Sequence, residues 1–137
     1  MDQETTMREI LSTARTIASV GLSSNPQKDS YEVGQYLQEQ GYRVIPVNPT
    51  AQEVLGEKCY SSLSEVPDGI DVVQIFRKPE DVPPVVEEAI RSGAKAVWMQ
   101  EGIVNEAAAE MARRAGLQVV MDACMRKVHQ RLFRAAG

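Results

Sequence analysis

Five short apolar runs alternate along the chain with longer amphipathic segments, and this alternation limits the folds that the chain can adopt. The runs lie at residues 16–20, 42–47, 70–76, 96–99 and 119–121. Between two of them, apolar residues recur at helical spacing, at Val82, Val85, Val86 and Ala89. Apolar strands joined by helices predict a parallel sheet that is covered by helices on both faces. The predicted fold is therefore a doubly wound α/β fold.

Glycine follows three of the predicted helices. Gly41, Gly93 and Gly116 each come after an amphipathic segment and before a β-rich run. The residue just past a helix often takes the left-handed conformation, which glycine adopts readily. The phrases that begin at these glycines are a weak repeat of one helix-to-strand turn. Residues 50–68 show no clear period, and we expect loop with short irregular helix there.

Length, charge and cysteine usage limit the classes of function. The 137 residues suffice for one domain with a core, so we expect residues 1–137 to form a single domain. The net charge of −4 argues against nucleic acid or an anionic membrane as the main partner. No apolar run approaches the roughly 20 residues of a membrane span, and the polar start does not resemble a signal peptide. We expect a cytoplasmic protein with two free thiols, Cys59 and Cys124, and no zinc site.

The first apolar run leads into a loop of small polar residues, Gly21-Leu-Ser-Ser-Asn-Pro26, and then into a helix. Such a loop leaves backbone N–H groups and the positive end of the helix dipole available to an anion. It therefore predicts a phosphate site. Because ligands of open α/β sheets bind outside the carboxyl ends of the strands, the loops at 47–49, 76–79 and 100–103 are further candidates.

The same loop can be compared with the dinucleotide fingerprint of NAD-binding proteins. That fingerprint needs glycines at the first, third and sixth positions and an acidic residue about 20 positions further on. Only Gly21 matches, because Ser23 and Pro26 occupy the other two positions and the second strand ends at Asn48. Ordinary NAD binding is disfavoured, whereas another phosphorylated ligand remains open.

Five loop motifs in a fixed order resemble those of the small stand-alone CoA-binding domain proteins of bacteria and archaea. They are Gly-Leu-Ser-Ser-Asn-Pro (21–26), Gly-Tyr-Arg-Val-Ile-Pro-Val-Asn-Pro (41–49), Phe-Arg-Lys-Pro (76–79), Trp-Met-Gln-Glu-Gly-Ile (98–103) and Met-Asp-x-Cys-Met (121–125). That family is similar to the CoA-binding domain of the succinyl-CoA synthetase α subunit. The resemblance covers roughly residues 10–133, with Ala123 and Val128 where the family usually has Arg and Glu. It implies a Rossmann-type sheet of about five strands in the order 3-2-1-4-5, with coenzyme A across their carboxyl ends.

The resemblance also implies which residues contact CoA or acyl-CoA. Gly21, Ser23 and Ser24 would hold the diphosphate, and Lys28 would supply a positive charge. Asn48 and Pro49 would border the adenosine end. The remaining candidates would line the cleft and the path of the pantetheine arm, and they are Phe76, Arg77, Lys78, Pro79, Gln100, Glu101, Gly102 and Ile103.

Most of these residues also have a purely structural interpretation. Gly21 and Gly102 can serve only to make tight turns, and single Lys or Arg residues are usually solvated surface charges. His129 is the tempting reactive group, because the synthetase works through a phosphorylated histidine. That histidine belongs to a second domain, which we expect this chain to lack, so a structural His129 and a buried Cys124 are favoured. The joint placement of the candidates at strand ends still favours a ligand site.

The expected function is the binding of CoA or acyl-CoA without catalytic activity. Two alternatives stay open, a CoA-binding component of a multi-subunit acyl-CoA ligase and a nucleotide sensor of the NAD type. Copurifying ligase subunits would favour the first alternative, and competition by NADH would favour the second. No nucleic acid or membrane partner is expected, and the sequence determines neither the acyl group nor the oligomeric state.

Overall fold

A five-stranded parallel sheet forms the centre of the computed structural model, which describes residues 2–134. The elements in chain order are α1 (Gln3–Thr13), β1 (Thr16–Val20), α2 (Asp29–Glu39), β2 (Arg43–Val47), β3 (Glu53–Val54), β4 (Glu57–Lys58), β5 (Val72–Ile75), α3 (Val82–Arg91), β6 (Ala96–Met99), α4 (Glu106–Arg114), β7 (Gln118–Val120) and α5 (Met125–His129). Short 3₁₀ turns occur at Leu63–Glu65 and Pro79–Asp81, and a π-helical turn follows α5 at Gln130–Arg134.

The sheet has the strand order β2-β1-β5-β6-β7, and every neighbouring pair of strands is parallel. α1, α2 and α5 pack on one face in a core that includes Trp98 and Leu37. α3 and α4 pack on the other face in a core that includes Val97 and Val86. Every residue of β5 and β6 is buried, as a sheet covered on both sides requires. The doubly wound α/β class predicted from the sequence is therefore confirmed.

The strand order differs from the expected 3-2-1-4-5. Numbered along the chain, the five strands lie in the order 2-1-3-4-5, because the third strand, β5, pairs with β1 and not with β2. Outside β2, residues 2–134 form a single isolated parallel bridge, between Val47 and Tyr60. The nearby β3 and β4 pair with each other as a separate antiparallel ribbon. The turn-rich segment between β2 and β5 thus forms a single bridge at the position where the expected order requires a whole strand. The topological switch point of the sheet lies between β1 and β5.

The helix ends agree with the glycine pattern of the sequence. Gly41, Gly93 and Gly116 have φ values of +99°, +76° and +89°, and each lies just beyond a helix. None of the helices in residues 2–134 is long and apolar enough to cross a bilayer. Cys59 and Cys124 are both buried and are not joined in a disulfide.

Candidate functional site

Hydrogen bonds join the exit loops of β1, β2 and β5 at the switch point. The Gly21 N–H donates to the Val47 carbonyl at 2.9 Å, and the Phe76 N–H donates to the Val20 carbonyl at 2.9 Å. The Asn48 side-chain amide donates to the Leu22 carbonyl at 3.0 Å. Three of the four candidate loops therefore lie side by side at the carboxyl edge of the sheet.

Gly21 is required by the packing between two of these loops. Its φ is +95°, and a Cβ at this position would collide with the Phe76 carbonyl oxygen and lie 3.1 Å from the Phe76 Cβ. The β1 exit can approach the β5 exit this closely only because residue 21 has no side chain. At Gly102 the φ is +84° and a Cβ would meet no neighbouring segment within 4 Å, so the turn and not close packing requires a glycine there, and its expected contact with CoA stays a prediction.

The loop from Ser23 to the start of α2 is ordered by its own side chains. The Ser23 N–H donates to the buried Ser30 hydroxyl, and the Ser23 hydroxyl accepts from the Asn25 N–H, both at 3.0 Å. The Ser23 hydroxyl proton can therefore still be donated outward. Ser24 and Lys28 are exposed, and Lys28 occupies the N-cap position of α2 without a capping side-chain bond. The first-turn N–H groups of α2 thus lack a side-chain cap, as an anion site requires.

Asn48 organises the exit of β2. Its side-chain oxygen accepts from the Thr50 N–H at 2.9 Å and from the Thr50 hydroxyl at 2.8 Å, while its amide group holds the Leu22 carbonyl. Its backbone N–H donates to the Tyr60 carbonyl at 2.8 Å. The polar atoms of Asn48 are occupied by these loop contacts, and the neighbouring Pro49 is exposed. The observed role of Asn48 is to fix the β2 exit beside the β1 loop.

The β5 exit loop combines a packed ring with an accessible cation. Phe76 is partly buried against the core on the α2 face, while Lys78 and Pro79 are exposed. Arg77 is partly buried and makes no hydrogen bond or ion pair with any residue in the described range. It lines a cavity of about 200 Å³ together with Val20, Val47 and residues of α3. We call this space the α3 cavity.

Gln100, which follows β6, lies inside the protein. Its side chain is 2% exposed, and its oxygen accepts from the Gln74 amide and from the Met125 N–H, each at 3.0 Å. This side chain therefore caps the start of α5, and its expected place beside the pantetheine arm stays a prediction. Glu101 and Gly102 are exposed and Ile103 is partly buried, so this loop presents mainly these three residues outward.

The segment after β7 brings further polar groups to this edge, and the sequence analysis did not assign them to the site. Asp122 accepts from the Gly102 N–H at 2.7 Å, Lys127 pairs with Glu101 at 2.9 Å, and Arg126 lies 3.7 Å from Glu32. The hydrogen bond that Lys127 donates to the Glu101 carboxylate, together with the negative charge of that carboxylate, raises the pKa of the Lys127 ammonium group. The Met-Asp-x-Cys-Met motif was the available sequence signal for this segment. The start of α5 is thus tied to both the β6 exit and the first turn of α2.

Two buried polar atoms below the switch point make no hydrogen bond to any residue in the described part of the chain. They are the Ser19 hydroxyl oxygen and the Gln74 side-chain oxygen, whose residues are paired in register across β1 and β5. Both residues have zero exposure. A polar residue within an otherwise apolar strand was the sequence signal for each. These two polar side chains therefore lie within the sheet, on the two strands whose exit loops flank the switch point.

His129 and Cys124 lie in packed surroundings. His129 is 8% exposed, and its Nδ1 lies 2.7 Å from the Tyr36 hydroxyl. Its ring also packs against Tyr42 and Phe133, with centroids 5.8 and 5.1 Å away. Cys124 is 5% exposed at the N-cap of α5. This arrangement agrees with the structural interpretation of both residues.

Comparison with known proteins identifies the family. Residues 15–130 match the profile of the CoA binding domain. The chain belongs to the CoA-binding domain family. One relative is the uncharacterized protein YneT of Bacillus subtilis (strain 168). It is 44% identical over 123 residues, which cover 90% of this chain and 91% of YneT.

Two further relatives of this CoA-binding domain show its range. The alpha subunit of ADP-forming acetate–CoA ligase II from Pyrococcus furiosus is 33% identical, and the match covers 81% of this chain but only 27% of that subunit. A solved structure of a hypothetical protein from Pyrococcus horikoshii OT3 is 46% identical, with a TM-score of 0.91, and covers 94% of this chain and 91% of that one. The same domain thus occurs in proteins of about this length and within much longer ligase subunits.

Proposed function

We propose that this protein binds CoA or an acyl-CoA at the switch point and has no catalytic activity of its own. One observation carries the proposal. The loop before α2 brings together a hydroxyl donor at Ser23, the uncapped first turn of α2 and the Lys28 cation, beside the tightly packed β5 exit. A diphosphate needs donors and positive charge of this kind. Membership of the CoA-binding domain family supports coenzyme A as the molecule that carries this diphosphate.

The charges around this loop are compatible with an anion. α2 carries two carboxylates in its first turn, Asp29 and Glu32, and these would oppose a diphosphate. Glu32 has Arg126 as a partner, and Glu101 has Lys127. The cations of α5 therefore offset the nearby negative charge, and Lys28 has its charge available for the ligand.

The environment of His129 supports the absence of catalysis. A ring that is buried among Tyr36, Tyr42 and Phe133 cannot reach a ligand unless this aromatic cluster repacks. A nucleophile also needs a neighbouring base within hydrogen-bond reach, and Cys124 is buried at the start of α5. We expect the purified protein neither to hydrolyse acyl-CoA nor to ligate CoA to acetate with ATP. Turnover that disappears in His129→Ala would contradict this expectation.

Thermal stabilisation tests the binding. CoA at 100 times its dissociation constant should stabilise the fold by about 2.7 kcal/mol, which corresponds to about 10 °C in Tm for a domain of this length. NAD at the same concentration should give a much smaller shift, because two fingerprint glycines and the acidic ribose anchor are missing. A larger shift with NAD than with CoA would favour the nucleotide sensor instead.

A charge reversal locates the site. Ser23→Asp should abolish the shift caused by CoA, because it puts a carboxylate where we propose that the diphosphate lies. The fold should survive, since an Asp side chain can also accept from the Asn25 N–H. Ser12→Asp is the matched control, because Ser12 is exposed on α1 and its hydroxyl donates within its own helix, to the Arg8 carbonyl. If Ser23→Asp folds and binds CoA as well as the unmodified protein does, the diphosphate lies elsewhere.

The similarity to a ligase subunit favours one second candidate. In this alternative, the protein is the CoA-binding component of an acyl-CoA ligase whose other subunits are separate chains. Affinity purification from the source cells should then recover ligase subunits, and acyl-CoA should form from acid, CoA and ATP only in their presence. Recovery of the protein without such subunits, at native expression levels, would favour the binding protein.

A further inference from the structure

The segment that follows β7 holds the loop that follows β6. We call residues 122–127 the β7 exit segment and residues 100–103 the β6 loop. Every residue of the β6 loop makes a hydrogen bond to the β7 exit segment. The bonded pairs are Gln100 with Met125, Glu101 with Lys127, Gly102 with Asp122 and Ile103 with Asp122. The β6 loop therefore takes its position from the part of the chain that comes after the next strand.

Asp122 makes two of these four contacts. Its carboxylate oxygen Oδ1 accepts from the Gly102 N–H at 2.7 Å, and its own N–H donates to the Ile103 carbonyl at 3.2 Å. A hydrogen bond to an ionised carboxylate is roughly twice as strong as one between neutral groups. The pair of Glu101 and Lys127 joins two exposed side chains, so it contributes little. Asp122 is thus the main tie on the outer part of the β6 loop.

The backbone of Asp122 has an unusual conformation. Its φ of +57° lies in the left-handed region, which Asp enters more readily than most residues but still at a cost. Among residues 2–134, Leu55 is the other non-glycine residue with a positive φ, and it lies in the tight turn between β3 and β4. Such strain persists where the surrounding structure imposes it, and it is common at functional sites. In this conformation, both the carboxylate and the N–H of Asp122 reach the β6 loop.

Contacts outside the β6 loop fix the β7 exit segment. The Ala123 N–H donates to the Met99 carbonyl at 3.3 Å, and the Ala123 carbonyl accepts from the Trp98 indole N–H at 2.8 Å. The residue before the segment, Met121, is held by the side chain of Gln3 on α1. The Met121 N–H donates to the Gln3 Oε1 at 3.0 Å, and the Met121 carbonyl accepts from the Gln3 Nε2 at 2.9 Å. Because the segment is fixed in this way, it can hold the β6 loop in place.

The β6 loop borders the proposed ligand site. It follows β6, which pairs with β5, and β5 in turn flanks the switch point. The β7 exit segment also reaches the first turn of α2, since Arg126 lies 3.7 Å from Glu32. Ligands of open α/β sheets lie outside the carboxyl ends of the strands. A ligand at the loop before α2 would therefore lie beside the β6 loop, and the conformation of this loop would affect its affinity.

We infer that Asp122 is a positioning residue, which keeps the β6 loop in the conformation that the ligand requires and does not contact the ligand itself. This inference rests on the proposed CoA binding and adds to it a residue that acts through another segment. Without the carboxylate, the Gly102 N–H bonds to water and the loop adopts other conformations as well. A ligand that binds one conformation loses affinity in proportion to the fraction of molecules in that conformation.

Two substitutions separate the side chain of Asp122 from its backbone conformation. Asp122→Asn keeps a side-chain oxygen for the Gly102 N–H and tolerates the positive φ. Asp122→Gly takes this φ without strain but has no side chain to hold the loop, so the fold should survive. In calorimetric titrations, Asp122→Gly should raise the Kd for CoA about tenfold, whereas Asp122→Asn should change it less than about threefold. Both variants lose the same negative charge, so an effect of charge alone on the anionic ligand would be equal in the two.

Amide hydrogen exchange provides a second readout, which needs no CoA. In Asp122→Gly the Gly102 amide should exchange at least about tenfold faster than in the unmodified protein, because its hydrogen bond is lost. In Asp122→Asn it should exchange at nearly the unmodified rate. The amides of β5, in the centre of the sheet, should change much less in both variants. This pattern would show that the substitution loosens the β6 loop and not the whole fold.

Asp68→Gly is the matched control. It also removes a carboxylate and places a glycine in a loop, but Asp68 pairs with Arg43 at the amino end of β2. The carboxyl ends of the strands, where we propose that the ligand binds, lie at the opposite edge of the sheet. Asp68→Gly should therefore bind CoA normally and leave the exchange of the Gly102 amide unchanged.

The outcomes separate the inference from the proposed function. Absence of CoA binding in the unmodified protein would overturn both. Normal CoA affinity in Asp122→Gly, or unchanged exchange of its Gly102 amide, would overturn the inference and leave the proposed function standing. Equal weakening in Asp122→Asn and Asp122→Gly would do the same, because it would show that the charge of Asp122 acts on the ligand. Loss of the fold in Asp122→Gly would show a general structural role and would also overturn the inference.

Discussion

Gly21→Ala is the substitution that most directly tests the packing at the switch point. The new methyl group would collide with the Phe76 carbonyl oxygen and lie 3.1 Å from the Phe76 Cβ, and the φ of +95° strains any residue that has a side chain. Both atoms belong to the β5 exit, which the Val20 carbonyl holds through a 2.9 Å hydrogen bond. The substitution therefore combines backbone strain with overpacking against a fixed neighbour.

The two costs can be estimated separately. A residue with a side chain at positive φ costs about 1–2 kcal/mol, and overpacking typically costs about 1–3 kcal/mol. Gly21→Ala should thus lower the free energy of unfolding by about 2–5 kcal/mol, out of the roughly 5–15 kcal/mol that stabilises an ordinary domain. At about 4 °C per kcal/mol for this length, the Tm should fall by about 8–20 °C.

Gly41→Ala provides the control for strain. Gly41 has a φ of +99°, and no atom lies within 4 Å of a Cβ placed there, so this substitution adds strain without a collision. Both substitutions reduce the conformational entropy of the unfolded chain equally, and that effect cancels in the comparison. Urea unfolding followed by circular dichroism should show that Gly21→Ala costs about 1–3 kcal/mol more than Gly41→Ala. Equal losses would mean that the Phe76 backbone moves aside without cost, and the argument for a rigid switch point would be refuted.

Three further substitutions test other contacts. Burial opposes ionisation of Asp71, but hydrogen bonds from the Arg15 and Thr16 N–H groups and the Lys95 charge outweigh it and lower the pKa of Asp71. The resulting stabilisation of the fold is complete above about pH 4 and is lost as the pH falls through the lowered pKa. Asp71→Asn should therefore lower the free energy of unfolding at pH 7, and urea titrations should show that this loss shrinks below about pH 4. Gln100→Leu removes the acceptor of two buried N–H donors, so it should lower the free energy of unfolding in urea by more than about 2 kcal/mol. A smaller loss would show that these donors find other partners. Arg77→Ala should weaken CoA binding about 10- to 100-fold and make it less sensitive to salt, whereas an unchanged salt dependence in calorimetry would place Arg77 outside the site.

The strands and the helix ends could be predicted because both depend on local chemistry. An apolar run between amphipathic segments indicates a buried strand, and Gly41, Gly93 and Gly116 each follow a helix with positive φ. The loop from Gly21 to Lys28 was also found at a strand end, next to the start of a helix. These features need no knowledge of which strand lies beside which.

The strand order could not be predicted because it depends on distant pairing. Residues 50–68 contain turn signals, but nothing in their composition states that Tyr60 would form a single bridge to Val47. The expected order needs a full strand beside the outer edge of β2, but residues 50–68 form a single bridge there. Since β5 then pairs directly with β1, the switch point still falls beside Gly21, and the location of the candidate site was unaffected.

The roles of individual polar side chains were the least predictable part of the site. Gln100 follows a strand like the other candidates, yet its side chain turns inward because Gln74 and the start of α5 supply two buried donors. Arg126 and Lys127 reach the same edge only because α5 packs against α2 and the β6 exit. Such contacts arise from tertiary packing, which sequence spacing does not encode.

The same packing determines how the site would hold its ligand. Hydrogen bonds that order the loops occupy the side chains of Asn48, Ser30 and Gln100. The groups that remain for an anion are backbone N–H groups, the Ser23 hydroxyl and the Lys28 and Arg77 cations. Truncation of a side chain to alanine leaves the backbone donors in place, and an exposed cation such as Lys28 contributes only modestly. Loss of Lys28 alone should therefore weaken CoA binding less than a negative charge introduced at Ser23, which acts on all of these donors at once. A Lys28→Ala variant that binds as poorly as Ser23→Asp in the same titration would show that a single cation, and not the loop backbone, carries the affinity.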